Sequence, residues 1–168
     1  MLSITTVCYN PPEIMKQCIE AVLRNTTGDF EYILVNNHAP YEGVAEYLKK
    51  VEEENKSIVL IDPGENIGCH EGYNLAFAKA KGDFIVKLDD DTILPDDKEW
   101  APKMIKAFEK EPKLAYLSAD IDAKQNNVYH KIDYGDGIIL EVPETGMVGF
   151  ACVMFPKKII DKFGKFKG

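Results

Sequence analysis

Apolar runs of strand length alternate with one-face helical stripes from the N-terminus to about residue 118, and that alternation leaves few folds open. Leu2 to Val7 reads as a strand, and Asn10-Pro11-Pro12-Glu13 then supplies an N-cap residue, prolines for a first turn and an acid where the helix dipole favours one. Ile14, Met15, Cys18, Ile19, Val22 and Leu23 stripe the first helix, which Asn25-Thr26-Thr27-Gly28 ends. Phe30 to Val35 is a second strand, Val44, Tyr47, Leu48 and Val51 stripe a second helix, and Ser57 to Ile61 is a third strand. A third helix is predicted from about Ile67 to Lys81, with Tyr73, Ala76, Phe77 and Ala80 inward and Gly82 as its stop; Phe84 to Leu88 follows as a fourth strand. Trp100, Met104, Ile105 and Phe108 mark another helix, with Pro102 in its first turn, and Leu114 to Ser118 another strand. Strands joined through helices imply an α/β fold with a mostly parallel central sheet and flanking helices.

Beyond Ser118 the pattern changes. Residues 120 to 145 read as hairpins or irregular loops around Asn126-Asn127 and Gly135-Asp136-Gly137, with short strands near Val128-Tyr129 and Ile138 to Leu140. An apolar strand from Met147 to Phe155 and a helix from Pro156 to Phe163 close the chain. With 168 residues it fits one domain, 1–168, and is too short for two.

Asp89, Asp90 and Asp91 stand where the fourth strand should end. Three adjacent carboxylates repel one another unless solvent, a cation or strong donors take up the charge. An acidic turn in solvent satisfies that requirement too. However, ligands of open α/β sheets bind outside the carboxyl ends of the strands, and hard oxygen ligands there suit Mg²⁺ or Mn²⁺ carrying a phosphorylated substrate. The net charge of −8, with no basic stripe, excludes nucleic acid as an expected partner. An anionic small substrate would therefore need a local cation, and Lys87 is the nearest basic side chain to the aspartates in sequence. Cys8, Cys18, Cys69 and Cys152 have no paired spacing and read as reduced core thiols. No leader and no membrane-spanning run is visible, so the expected location is the cytoplasm, with attachment at the inner face of a membrane as the variant.

A dinucleotide-binding Rossmann site fails on its fingerprint, because Cys8-Tyr9-Asn10-Pro11-Pro12 stands where closely spaced glycines are required. Gly64 to Gly72 is glycine-rich and opens a helix, which serves either as an anion cradle or only as a turn. His38, His70 and His130 have no paired spacing; His70, in the helix opening, is the one nearest a ligand, and the other two read as surface or loop residues. Glu52-Glu53-Glu54 and Asp96-Asp97 read as solvated helix ends.

Taken in order, these segments resemble the family 2 glycosyltransferases of GT-A fold. Ile4 to Asn10 looks like that family's opening strand and loop, Ile33 to Asn37 its second strand, and Asn66-Ile67-Gly68 with Gly72 and Asn74 its Asn-x-Gly helix opening. Leu88 to Thr92 resembles its Asp-x-Asp motif, while Gly149 to Phe155 and Phe163 to Phe166 resemble its acceptor-side strand and the following Gly-Gly-Phe-Asp segment. The resemblance implies metal-dependent transfer of a sugar from a nucleoside diphosphate donor, with inversion, to a saccharide or lipid-linked acceptor. It assigns the divalent cation, Mn²⁺ or Mg²⁺, to Asp91 and the ribose side of the donor to Asp89. Asp90 is left open between ligand contact and solvated side chain. Thr6, Tyr9 and Asn36 would border the nucleobase, and Asn66 and Gly68 would approach the nucleotide.

Two departures stand out. Asn36 replaces the family's usual aspartate, which favours UDP or dTDP, since a carboxamide matches the N–H and carbonyl of uracil or thymine. The sequence given stops at Gly168, before the acidic segment expected to carry the catalytic base, and so reads as the N-terminal part of a longer transferase or a naturally short relative. Glu144 and Asp161 are acids near the acceptor side, outside any matching motif. A non-catalytic nucleotide-sugar-binding module and a nucleotidyltransferase are the alternatives.

Overall fold

Strand β1 (Leu2–Cys8) is buried at all seven positions, which is what a central parallel strand covered on both faces requires. Its polar residues are tolerated because each has a partner. Ser3 Oγ donates to Glu31 at 2.6 Å, Thr5 Oγ1 donates to the Val86 carbonyl at 2.8 Å, and Thr6 Oγ1 shares a 3.1 Å hydrogen bond with the Tyr32 hydroxyl. The computed structural model describes residues 1–119, 129–144 and 149–167.

Helix α1 (Pro12–Asn25) follows β1, then β2 (Phe30–Asn36), α2 (Val44–Glu54), β3 (Ile58–Ile61), α3 (Cys69–Lys79), β4 (Phe84–Leu88) and α4 (Trp100–Lys110). Strands β5 (Leu117–Ser118), β6 (Tyr129–Asp133), β7 (Ile139–Pro143) and β8 (Cys152–Pro156) and helix α5 (Lys157–Phe163) complete the described order. The main sheet runs β3-β2-β1-β4-β8-β5, and β6 pairs with β7 alone. Strands β1 to β4 are mutually parallel in register, Leu2 lying opposite both Phe30 and Phe84, while β8 is antiparallel to β4 and β5. Two cores flank the sheet. One joins Ile4, Cys8 and Leu34 to α1, α2 and α4, and the other joins Val7, Ile33 and Val35 to Tyr73, Ala76 and Phe77 of α3.

Several boundaries differ from the sequence reading, each for a local reason. Helix α1 is preceded by Pro11 rather than capped by the Asn10 side chain, which is engaged elsewhere, and Ile14 of its predicted apolar stripe faces solvent. Helix α3 starts at Cys69, not Ile67, because the Ile67 N–H is held by Asn37 Oδ1 at 3.0 Å and Gly68 takes a positive φ. Gly82 does not stop that helix, since the cap is Ala80; a Cβ at Gly82 would lie 2.6 Å from the Ser3 nitrogen and 2.8 Å from the Met1 carbonyl, so glycine is needed for close approach. Strand β5 is shorter than predicted because Leu114 N–H closes a turn onto the Glu111 carbonyl at 3.0 Å. The predicted loop at Asn126-Asn127, the strand start at Val128 and the beginning of the last strand at Met147 lie outside the described residues.

Candidate functional site

The sheet order reverses around β1, with β2 on one side and β4 on the other, and a cavity of about 290 Å³ opens at the carboxyl ends of these strands. Val7 and Tyr9 at the end of β1, Asn37 after β2, and Asp89 and Asp90 after β4 form one wall. Asn66, Gly68, Cys69 and Tyr73, before, at and after the opening of α3, complete the lining. The opening is shaped by short local bonds: Asn66 Oδ1 accepts the Gly68 N–H at 2.9 Å, and Gly72 lets α3 lie against β1, where a Cβ would be 2.8 Å from Val7 Cγ2.

The three aspartates occupy three different environments. A turn closed by Thr92 N–H on the Asp89 carbonyl at 3.1 Å sends Asp90 inward and leaves Asp91 exposed. Asp89 Oδ1 meets the Lys87 ammonium at 2.5 Å and the Tyr73 hydroxyl at 3.1 Å, and that hydroxyl also lies 2.8 Å from the Leu88 carbonyl. Burial, with Asp89 adding to it, pushes the Tyr73 hydroxyl far above the ordinary tyrosine range, so it is a fixed donor here. Asp90 is 6% exposed, and its carboxylate accepts the Tyr9 and Asn10 backbone N–H groups at 2.7 and 2.8 Å and Asn10 Nδ2 at 2.6 Å. The solvated reading of Asp90 is therefore corrected. Lys87 is likewise no open cation for a phosphate: it is buried, donates to the Phe150 carbonyl at 2.6 Å and sits 5.1 and 5.4 Å from the Tyr73 and Phe150 ring centroids.

Of the other residues singled out in the sequence, Tyr9, Asn66 and Gly68 line the cavity and Tyr9 is 45% exposed. Thr6 is buried against Tyr32 and does not line it. Asn36 is also buried, off the wall, and donates Nδ2 to Asp62 at 3.0 Å, so the second strand reaches the cavity through Asn37. Asp62, overlooked in the sequence, ends β3 as a carboxylate gripped by Asn36, by His38 Nε2 at 2.9 Å and by the Gly64 N–H at 2.9 Å. The Gly64 N–H first, and then His38, hold its carboxyl below the usual range.

Tyr73 was legible only as one of an apolar stripe, and Asn37 only as a neighbour of Asn36. Cys69 lines the cavity and is exposed, unlike the three buried thiols. Burial pushes Cys18 and Cys152 up to about 12, so both stay protonated at neutral pH. His70 is off the wall with its ring edge-on to Phe166, and His130 lies 3.2 Å from Glu144. Neither Glu144 nor Asp161 is on the wall. The acidic helix ends are engaged rather than merely solvated: Glu52 accepts the Leu60 N–H at 2.7 Å, Asp96 pairs with Arg24, and Asp97 accepts the Glu99 N–H at 2.8 Å.

Among the described residues, no cluster of three or more His, Cys, Asp or Glu side chains is arranged to hold an ion. A hard cation held by one exposed carboxylate plus substrate phosphates needs no such cage, and Asp91, exposed and just outside the cavity lining, has the chemistry for that arrangement.

The sequence profile of Glycosyl transferase family 2 matches residues 3–164. The chain belongs to that family. It is 31% identical over 143 residues to an uncharacterized glycosyltransferase of Methanocaldococcus jannaschii, a match covering 84% of this chain and 46% of that one. It is 28% identical over 119 residues to a poly-beta-1,6-N-acetyl-D-glucosamine synthase of Staphylococcus aureus, covering 71% and 28%. Among solved structures, a mannosyltransferase from Pyrobaculum calidifontis in complex with GDP-Man and Mn²⁺ matches with a TM-score of 0.78 at 14% identity, covering 99% of this chain and 47% of that one. TarS 1–349 of Staphylococcus aureus in complex with UDP matches at 0.66 with 13% identity, covering 96% and 48%. The fold is thus that of the GT-A glycosyltransferases. This family 2 chain spans about half the length, or less, of these relatives. No helix among its described residues is long and apolar enough to cross a membrane.

Proposed function

We propose that this chain is the donor-binding domain of a glycosyltransferase that moves a sugar from a nucleoside diphosphate to a saccharide or lipid-linked acceptor with inversion. One observation carries the reading: the cavity is lined both by the start of α3 and by the turn after β4, whose next residue, Asp91, is an exposed carboxylate. A helix N-terminus attracts anions, whereas a set of aspartates attracts cations. A diphosphate bridged by a divalent cation satisfies the helix start and the exposed Asp91 carboxylate at once, which neither ion does alone.

In this reading Asp91 holds Mn²⁺ or Mg²⁺ against the diphosphate, and the cation supplies Lewis-acid stabilisation of the leaving group when bound. Asp89, fixed by Lys87 and Tyr73, faces the ribose; Tyr9 covers the nucleobase; Asn66 and Gly68 meet the diphosphate. Asn36, buried and off the cavity wall in the unliganded chain, carries the base preference once donor binding uncovers it. One of its amino protons goes to Asp62, which leaves the second proton and the oxygen to match the carbonyl and N–H of uracil or thymine. UDP or dTDP is therefore favoured over GDP.

Among the described residues, the two carboxylates on the cavity wall are engaged by internal donors and no histidine lines it. Taking the acceptor's proton thus falls to a group beyond this wall, and without a placed base transfer slows by about 10²–10⁴. Calorimetry with UDP, dTDP and GDP, each with and without Mn²⁺, tests the reading. The expected result is Mn²⁺-dependent binding with UDP or dTDP tightest. GDP binding tightest rejects the role given to Asn36, and no nucleotide binding at all rejects the function.

A further inference from the structure

We propose that Asp90 is a positioning residue, an internal anion that holds the loop between β1 and α1 and with it Tyr9 at the cavity rim. The inference rests on the donor-binding reading and assigns the middle aspartate a task within that site. Consecutive backbone N–H groups that converge on one point form a natural anion seat, the arrangement by which many loops after a first strand hold phosphate. Here the seat is taken. Tyr9 N–H and Asn10 N–H both donate to Asp90 Oδ2, at 2.7 and 2.8 Å, and Asn10 Nδ2 donates to Oδ1 at 2.6 Å.

These three bonds reach across some eighty residues of chain to a carboxylate that is 6% exposed. Bonds to an ionised acceptor in a half-dry site are stronger than neutral ones. Pro11, with φ −53°, stiffens the far side of the loop, so the backbone of Tyr9 and Asn10 is fixed from both ends. The Tyr9 side chain is left 45% exposed on the cavity wall. Two consequences follow. The loop after β1 is closed to phosphate, which leaves the diphosphate to the opening of α3, where Gly68 and Cys69 line the cavity. The aromatic ring is also presented ready-ordered, so a nucleobase that lies on it need not first order the loop.

The division of labour among the three aspartates then follows from their partners. Asp89, half-buried, is neutralised by Lys87, Asp90 is consumed by the loop, and Asp91 is the most exposed of the three.

The Asp90→Asn variant tests this, because an amide of the same shape must turn its NH₂ toward one of the three donors. Hydrogen exchange of the unliganded protein should show the Tyr9 and Asn10 amides exchanging about tenfold faster or more, as expected for losing a charge-assisted pair. Calorimetry with Mn²⁺ should show UDP binding weakened by about tenfold with inorganic pyrophosphate binding unchanged. A general loosening of the site would weaken both ligands together, and that result, or unchanged exchange at Tyr9 and Asn10, overturns the proposal. If the wild-type protein binds pyrophosphate but gains nothing from the nucleoside, the donor reading fails while exchange still decides whether Asp90 holds the loop. Should Asp90→Asn not fold, Asn10→Ala removes one of the three bonds from the opposite side, and it must raise exchange at the same amides for the proposal to survive.

Discussion

The parallel half of the molecule, β1 to β4 with α1 to α4, and the β6–β7 hairpin obey different rules. Strand β1 is buried at all seven positions and β2 at six of seven, whereas all five residues of β6 are exposed. The parallel strands are covered by helices on both faces, so their sequence is nearly continuous in apolar residues. The hairpin mixes apolar and polar residues without such a run, and Ile132, Ile139 and Val142 are exposed. What ties it to the rest is mainly polar: Lys110 Nζ donates to the Tyr134 carbonyl at 2.6 Å, Lys106 pairs with Asp136 at 3.1 Å, and the Tyr134 hydroxyl donates to Glu111 at 3.2 Å. Among the described residues beside it, Ile138 is deeply buried. Stability and the cavity both reside in the parallel half, and two substitutions of the same type should separate the regions.

Ile4→Ala, in a fully buried position of β1, should cost about 2–5 kcal/mol by urea unfolding, because the covered strand cannot collapse onto the void. Ile132→Ala on the hairpin should change stability by no more than about 0.5 kcal/mol. Comparable losses at the two positions would mean that the hairpin belongs to the same cooperative core, and the contrast between the regions would disappear.

A smaller effect sharpens the same contrast at the rim of the parallel half. Asp62 has its folded pKa depressed by the Gly64 N–H and by His38, so its contribution is present above the unfolded carboxylate value of about 4 and fades as pH falls through the lower folded value. Its side chain is 40% exposed, which screens the interaction and keeps the effect small. Asp62→Asn should lower the melting temperature slightly at pH 7, and the gap to wild type should close on acidification below pH ~4. A gap that widens in acid would reverse the sign and contradict the arrangement around Asp62.

How far the sequence could be read follows the same regional divide. Strands β1 to β4 were legible because burial on both sides leaves unbroken runs such as Ile33-Leu34-Val35, and the helices between them carry clear stripes. The short edge strand β5 and the hairpin were blurred, since their residues answer to partners far along the chain more than to a local period. At the site, position was legible and partnership was not. The aspartates, Tyr9, Asn66 and Gly68 stood out by type and by their place at strand and helix ends. That Asn10 would serve Asp90 instead of capping α1, that Lys87 would be spent on Asp89 and Phe150, or that Asn36 would turn to Asp62 depends on contacts across 2 to 80 residues. Composition and spacing carry no record of such pairings. Gly82 looked like a helix stop because glycine commonly ends helices, while its actual constraint is the backbone of Ser3 and Met1.

In the proposed donor complex a cation held by Asp91, the most exposed of the three aspartates, bridges a nucleoside diphosphate bound at the cavity of the parallel half. Calorimetric titration of UDP into wild-type protein and into Asp91→Ala, each with and without Mn²⁺, tests it most directly. Mn²⁺ is expected to strengthen UDP binding to the wild type and to have no effect on the variant, whose unfolding curve stays close to wild type because Asp91 is exposed. Equal Mn²⁺-dependent affinity in the two proteins would contradict it.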